Sequence, residues 1–116
     1  MTNVKRIEVV FFQTAAGVAP VREWLKLLSK EDRRTIGEDI KTVEFGWPVG
    51  MPVCRSLKKG LYEVRSTLGN RIARVVFMIE DGEMVLLHAF IKKSRTTPES
   101  DLDLARRRQL EWQAQE

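Results

Sequence analysis

Leu61-Tyr62-Glu63-Val64-Arg65-Ser66-Thr67-Leu68-Gly69-Asn70-Arg71-Ile72-Ala73-Arg74-Val75-Val76-Phe77-Met78-Ile79 is the stretch that decides the fold. The residues on either side of Gly69-Asn70 read as strands and the dipeptide reads as a tight turn, so the spacing predicts a β-hairpin. A two-residue loop pairs positions whose numbers sum to a constant. It sets Leu68 opposite Arg71, Thr67 opposite Ile72 and Arg65 opposite Arg74. Like charges directly opposed on one sheet face destabilise by a few tenths to about 1 kcal/mol. An anion held by both guanidinium groups would offset that penalty, and a phosphate-bearing partner is the first expectation. Glu63, diagonal to Arg74 and two residues from Arg65, offers the alternative of an ordinary cross-strand ion pair.

A second turn signal, Asp81-Gly82, follows the return strand. It predicts Ile79 opposite Met84, Phe77 opposite Leu86, Val75 opposite His88, Arg74 opposite Ala89 and Arg71 opposite Lys92. Alternation of side chains then sorts the residues onto two faces. One collects Tyr62, Val64, Ala73, Val75, Phe77, Leu86, His88 and Phe90, an apolar floor that claims the only histidine as a core residue. The other collects Glu63, Arg65, Thr67, Arg74, Ala89 and Lys93, basic at one end. Ile72, Val76, Met78, Val85 and Leu87 make its other end apolar and suit it to the C-terminal helix or a partner protein.

Working outward, Ile7 to Phe12 reads as a first strand. Pro20 opens a helix with the stripe Val21, Trp24, Leu25 and Leu28. Ser29 and Asp32 form an approximate capping box for a second helix, whose apolar face is Ile36, Ile40 and Val43 and which stops near Gly46, before Pro48. Residues 46–60 read as loop. Thr97 as N-cap and Pro98 at the first helical position open a last helix with a weak stripe of Leu102, Ala105 and Trp112. The order β-α-α-β-β-β-α predicts an α+β fold, an antiparallel sheet covered by a helical hairpin plus a C-terminal helix, in one domain over residues 1–116.

Composition narrows the function. The chain is 43% apolar and 31% charged, which suits a water-soluble globular domain. It carries no apolar run long enough to span a bilayer and no signal-peptide pattern, and one cysteine, Cys54, cannot form an internal disulfide. A cytoplasmic protein with no membrane partner is expected. Residues 55–95 hold nine basic side chains against four acidic ones, whereas residues 1–54 hold eight against seven. Positive potential therefore concentrates on the hairpins, the footprint of a nucleic-acid or phosphate site. No glycine-rich phosphate loop or dinucleotide fingerprint is present, and one histidine with one cysteine does not build a transition-metal site. Trp24, Trp47 and Trp112 read as packing residues, and Cys54 as an inert thiol without a histidine partner.

The segment Leu57-Lys58-Lys59-Gly60-Leu61-Tyr62-Glu63-Val64-Arg65 partly matches a K-x-L-x-x-G-[LI]-[WY]-E-[LIV]-R pattern, with Arg71 to Phe77 at the expected distance. Val85-Leu86-Leu87-His88-Ala89-Phe90-Ile91-Lys92-Lys93-Ser94 resembles a V-L-L-H-G-F-x-K-K-T signature, and Thr97-Pro98 with Ala105 to Arg108 resembles the tail that follows it. Most of the chain, in order, thus resembles the phage-derived, HigB-like branch of the RelE/ParE toxin superfamily. Ala89 and Ser94 depart from the commoner Gly and Thr. The resemblance implies a RelE-like fold and a toxin of a type II toxin–antitoxin module. Such a toxin cleaves mRNA on the ribosome through the RNA 2′-OH without a metal or cofactor. A helix-turn-helix antitoxin neutralises it, in some cases within a higher-order toxin–antitoxin complex. On this reading Arg65 and Arg74 clamp the scissile phosphate, and Lys93 with Lys92 moves protons. Lys58, Lys59, Arg71 and Arg95 hold flanking phosphates. A gyrase-inhibiting toxin and a non-catalytic antitoxin- or nucleic-acid-binding protein are the alternatives.

Overall fold

Two local signals start the helices where the sequence places them. Pro20 occupies the first position of α1 (Pro20–Lys26), where a missing N–H costs nothing. Ser29 caps α2 (Lys30–Gly46), its hydroxyl oxygen accepting from the Asp32 amide at 3.1 Å. Ile36, Ile40 and Val43 are buried along one side of α2, at the i, i+4, i+7 spacing that makes one helix face. The computed structural model describes residues 4–92 and 96–115.

The remaining elements are β1 (Glu8–Phe11), β2 (Cys54–Lys58), β3 (Leu61–Leu68), β4 (Arg71–Glu80), β5 (Glu83–Lys92) and α3 (Glu99–Ala114). Among the described residues the architecture is α+β: three helices and one five-stranded sheet, ordered β1-β5-β4-β3-β2. The sheet separates two apolar clusters. On one face Val64, Val75, Phe77 and Leu86 pack with Ile36, Ile40 and Val43 of α2 and Val21 of α1. On the other, Val76, Met78, Val85, Leu87 and Phe90 pack with Phe12 and with Ala105 of α3. β4 is therefore central to three layers, and its run from Ala73 to Met78 is buried without interruption.

The first hairpin has the expected register, including Arg65 opposite Arg74. Gly69 alone of its loop residues has a positive φ, +63°, the pattern of a type II′ turn, whereas Asp81 and Gly82 are both positive, as a type I′ turn requires.

Four features differ from the sequence reading. Residues 54–58 form β2, an edge strand pairing antiparallel to β3, not loop. Its short run, shifted in register between Ser56 and Lys58, owes its extended shape to β3 more than to its own propensity. β1 pairs parallel to β5, so the sheet is mixed. No local turn joins these two strands, and so no turn signal reports their direction. α3 begins at Glu99 with Pro98 at its N-cap, because the Thr97 hydroxyl is engaged by Glu63.

The fourth difference lies in β5. Phe77 faces Leu86 as expected, but Val76 faces His88, leaving Leu87 as an extra residue. This β-bulge inverts every later side chain. Val75 now faces Ala89, Arg74 faces Phe90 and Ile72 faces Lys92. Ala89 joins the α1–α2 side of the core and Phe90 the α3 side, the reverse of the expected assignment. No helix among the described residues is long and apolar enough to cross a membrane.

Phe77 is fully buried and stacks on Tyr62 at 5.6 Å, with Trp47 edge-on at 5.9 Å. Phe77→Ala is expected to cost about 3–5 kcal/mol in urea unfolding and to collapse the near-ultraviolet dichroism of the Trp47–Tyr62 pair.

Candidate functional site

Glu63 is wholly buried in β3, on the sheet face that α3 covers. A carboxylate there is stable only if cations and donors surround it, and they do. Its Oε2 lies 3.6 Å from Arg65 Nη1 and 3.7 Å from Arg74 Nε. Its Oε1 accepts the Thr97 hydroxyl. Arg55 of β2 sits directly opposite Glu63 in the ladder. Arg74 is 0% exposed; its Nη1 donates to the Thr96 carbonyl at 2.7 Å and its guanidinium lies over the Phe90 ring at 5.9 Å. Burial lowers the Arg74 pKa, the Glu63 charge opposes that, and Arg65 and Arg55 add to the lowering.

The facing arginines are thus bridged from within by Glu63. Arg55 and Arg65 lie near enough to act on the Arg74 charge, and Asp101 joins Glu63 in opposing its loss. Arg65, with 14% of its side chain exposed, is the arginine of the facing pair that reaches solvent. Beside the cluster, β2 and the chain leading into α3 enclose a cleft of about 220 Å³ lined by Arg55, Ser56, Leu57, Lys58, Thr96, Thr97 and Leu102.

The other basic residues singled out by the sequence scatter around this centre. Lys58 lines the cleft, and Lys59 is exposed in the β2–β3 turn, its carbonyl accepting from Gln109 Nε2 at 3.3 Å. Lys92 is exposed, and alternation past the bulge puts it on the face of Arg74 and Phe90 instead of the opposite one. Arg71 points to the other side of the sheet and pairs with Asp32 of α2 at 3.1 Å, away from the cluster. Lys93 and Arg95 lie outside the described residues.

His88 is the main relocation. The bulge turns it out of the α1–α2 core and onto the α3 face, where Nε2 lies 2.7 Å from Asp101 Oδ1 and Nδ1 lies 3.5 Å from Arg108 Nη1. Arginine only donates, so Nδ1 is the acceptor and Nε2–H donates to Asp101. Arg108 also donates to the Leu87 carbonyl at 2.8 Å, serving the residue that the bulge leaves without a ladder partner. Both ring nitrogens are engaged in fastening α3 to β5, and neither is directed at the arginine cluster. The inward side of α3 is therefore Asp101, Ala105, Arg108 and Trp112, at i, i+4, i+7 and i+11, with charged residues at two of the four positions. A search for an apolar stripe passes over such a pattern. Arg55 is passed over for a different reason: it lies in the stretch read as loop.

Among the described residues no group of three His, Cys, Asp or Glu side chains is placed to hold a metal ion. The chemistry available at the cluster is electrostatic: guanidinium groups and hydroxyls that bind and stabilise an oxyanion.

Glu63→Gln keeps the shape and the Thr97 contact but leaves Arg74 buried beside two like charges, and is expected to destabilise by about 3–5 kcal/mol in chemical unfolding. Cys54 is buried, and burial, followed by the nearby Glu63 charge, pushes its thiol up to about 11. Roughly one thiol in a thousand is then ionised at pH 8, so native protein is expected to resist alkylation that the urea-unfolded chain undergoes within minutes. The raised value means that the folded state holds its proton longer, so stability falls as pH climbs from about 9 toward about 11.

A family model described as phage-derived protein Gp49-like (DUF891) matches residues 23–110, from within α1 to within α3, a span that contains the whole arginine cluster, the cleft and the His88 contacts. No curated protein matches the chain. With three-quarters of its length inside that match, the chain belongs to the phage-derived Gp49-like family (DUF891), a family associated with toxin–antitoxin systems.

Proposed function

We propose that this protein is the toxin of a type II toxin–antitoxin module, of the HigB-like kind within the RelE/ParE superfamily, and that it cleaves mRNA on the ribosome. The observation that carries the reading is the gathering of Arg55, Arg65 and Arg74 about one buried carboxylate on one sheet face. Such a cluster holds a phosphodiester and stabilises the charge that builds on its oxygens as the 2′-oxygen attacks phosphorus. The 2′-OH gives up its proton to water as that bond forms, and the departing 5′-oxygen gains one as its bond to phosphorus breaks. Lys93, with Lys92 beside it, is the proton donor in this scheme. Arg65 contacts the scissile phosphate, and Arg74 supplies charge from below while it remains closed under Thr96. Lys58, Lys59 and Arg95 hold flanking phosphates, and the ribosome orients the message, which compensates for the few acid–base groups. The natural partner on this reading is a helix-turn-helix antitoxin, encoded next to the toxin gene.

One observation favours a second reading. Arg74 is completely enclosed, as suits a site that binds nucleic acid or an antitoxin without cutting RNA. Inducing the protein in growing bacteria and mapping message ends by primer extension separates the two. The nuclease reading expects growth arrest with new 5′ ends in translated messages, and Arg65→Ala is expected to lower cleavage by about 100-fold or more, as for loss of an oxyanion donor. Arrest without new ends points to a target such as gyrase. Cleavage undiminished in Arg65→Ala and Arg74→Ala contradicts the phosphate clamp.

A further inference from the structure

The cleft beside the arginine cluster has the chemistry of a nucleotide seat. Its β2 wall carries Arg55 and Lys58 as cations and Ser56 as a hydroxyl; its opposite wall carries Thr96 and Thr97, the latter with its hydroxyl donated to Glu63. Leu57 and Leu102 add apolar surface on the two sides. None of the residues lining it is acidic. Glu63, opposite Arg55 in the ladder, is wholly buried and contacts Arg65, Arg74 and Thr97. Arg55 faces Glu63 across the β2–β3 ladder, so the cleft adjoins the place where the scissile phosphate would sit.

Its shape follows from local backbone. The register shift between Ser56 and Lys58 breaks the regular edge of β2, and Lys58 and Lys59 both take positive φ values, +73° and +54°. Non-glycine residues there cost about 1 kcal/mol or more each and mark a segment held for a purpose other than propensity. Lys58, at the start of this turn, lines the cleft together with Arg55.

We propose that this cleft is a second RNA subsite, in which Arg55 and Lys58 bind the phosphodiester next to the cleaved one and Leu57 and Leu102 contact the attached nucleoside. The proposal rests on the RNA-cleaving reading for its substrate and is independent of it for its location. Cations with hydroxyl donors fit phosphate oxygens, and flanking apolar surface fits a ribose or base, a combination an inorganic anion would not need.

The test is an amide and arginine side-chain NMR titration of the purified chain with a short 2′-O-methyl RNA, which binds but lacks the attacking hydroxyl, and in parallel with inorganic phosphate. The expected result is that RNA shifts the signals of Arg55, Ser56, Lys58, Thr97 and Leu102. Arg55→Ala is expected to weaken RNA binding about tenfold, the loss of one charge-assisted contact. Arg55→Lys, which keeps the charge, is expected to recover part of it. The amide spectrum of each variant reports whether it is folded. Shifts confined to other surfaces, equal binding by folded Arg55→Ala, or equal shifts with phosphate alone would each overturn the subsite. Binding in the cleft by a protein that produces no cleavage on ribosomes upholds the subsite and removes the nuclease reading instead.

Discussion

A single buried carboxylate organises the functional half of this molecule. Glu63 is closed off from water and touches Arg65, Arg74 and Thr97 at once, with Arg55 opposite it in the ladder. Burying a charge in a sheet face costs several kcal/mol unless it is paired, so these contacts form together or the face does not form. Through Thr97, and through the bond from Arg74 to the Thr96 carbonyl, the same group of charges positions the chain that leads into α3. The helix start, the arginine arrangement and the cleft wall are consequences of one electrostatic constraint.

The attachment of α3 follows from it. Ala105 is the helix's one buried residue among those described, Trp112 packs half-buried against the same cluster, and polar contacts do the rest: His88 with Asp101, Arg108 with the Leu87 carbonyl, Gln113 with Glu80. Polar contacts of this kind each contribute about 0.5–1.5 kcal/mol net, far less than an apolar seam of the same length. They work here because the bulge at Leu87 presents both a carbonyl and an imidazole to the helix. The α1–α2 side, by contrast, is a conventional apolar core. The molecule therefore has one side closed mainly by apolar packing and one that adds buried charges to its apolar cluster, with β4 buried between them.

Much of this was legible in the residues. The turn chemistry of Gly69-Asn70 carried the Arg65–Arg74 register, the alternation around it sorted Val64, Val75 and Phe77 onto the core face, and Pro20 and Ser29 marked the helix starts. The bulge was not legible. Leu86-Leu87-His88-Ala89-Phe90 has no polar–apolar alternation to reveal an inserted residue, so His88, Ala89 and Phe90 were assigned to the wrong faces. β2 was hidden because Arg55-Ser56-Leu57 takes its extended form from β3. Thr97 has the chemistry of a cap and sits where a cap would sit, yet a buried carboxylate is a stronger demand on its hydroxyl. The facing arginines suggest an anion from outside; the structure supplies one from inside, Glu63.

That this cluster also holds a phosphate is the central proposal, and the salt dependence of RNA binding measures it. Affinity for a short, uncleavable single-stranded RNA, followed across a range of salt concentrations, is expected to fall steeply for the native protein. The slope of log K against log salt should be shallower in Arg65→Ala by about 0.7, the signature of one lost phosphate contact on a single strand. An unchanged slope in Arg65→Ala, with the variant folded, would show that the arginines around Glu63 serve the fold alone.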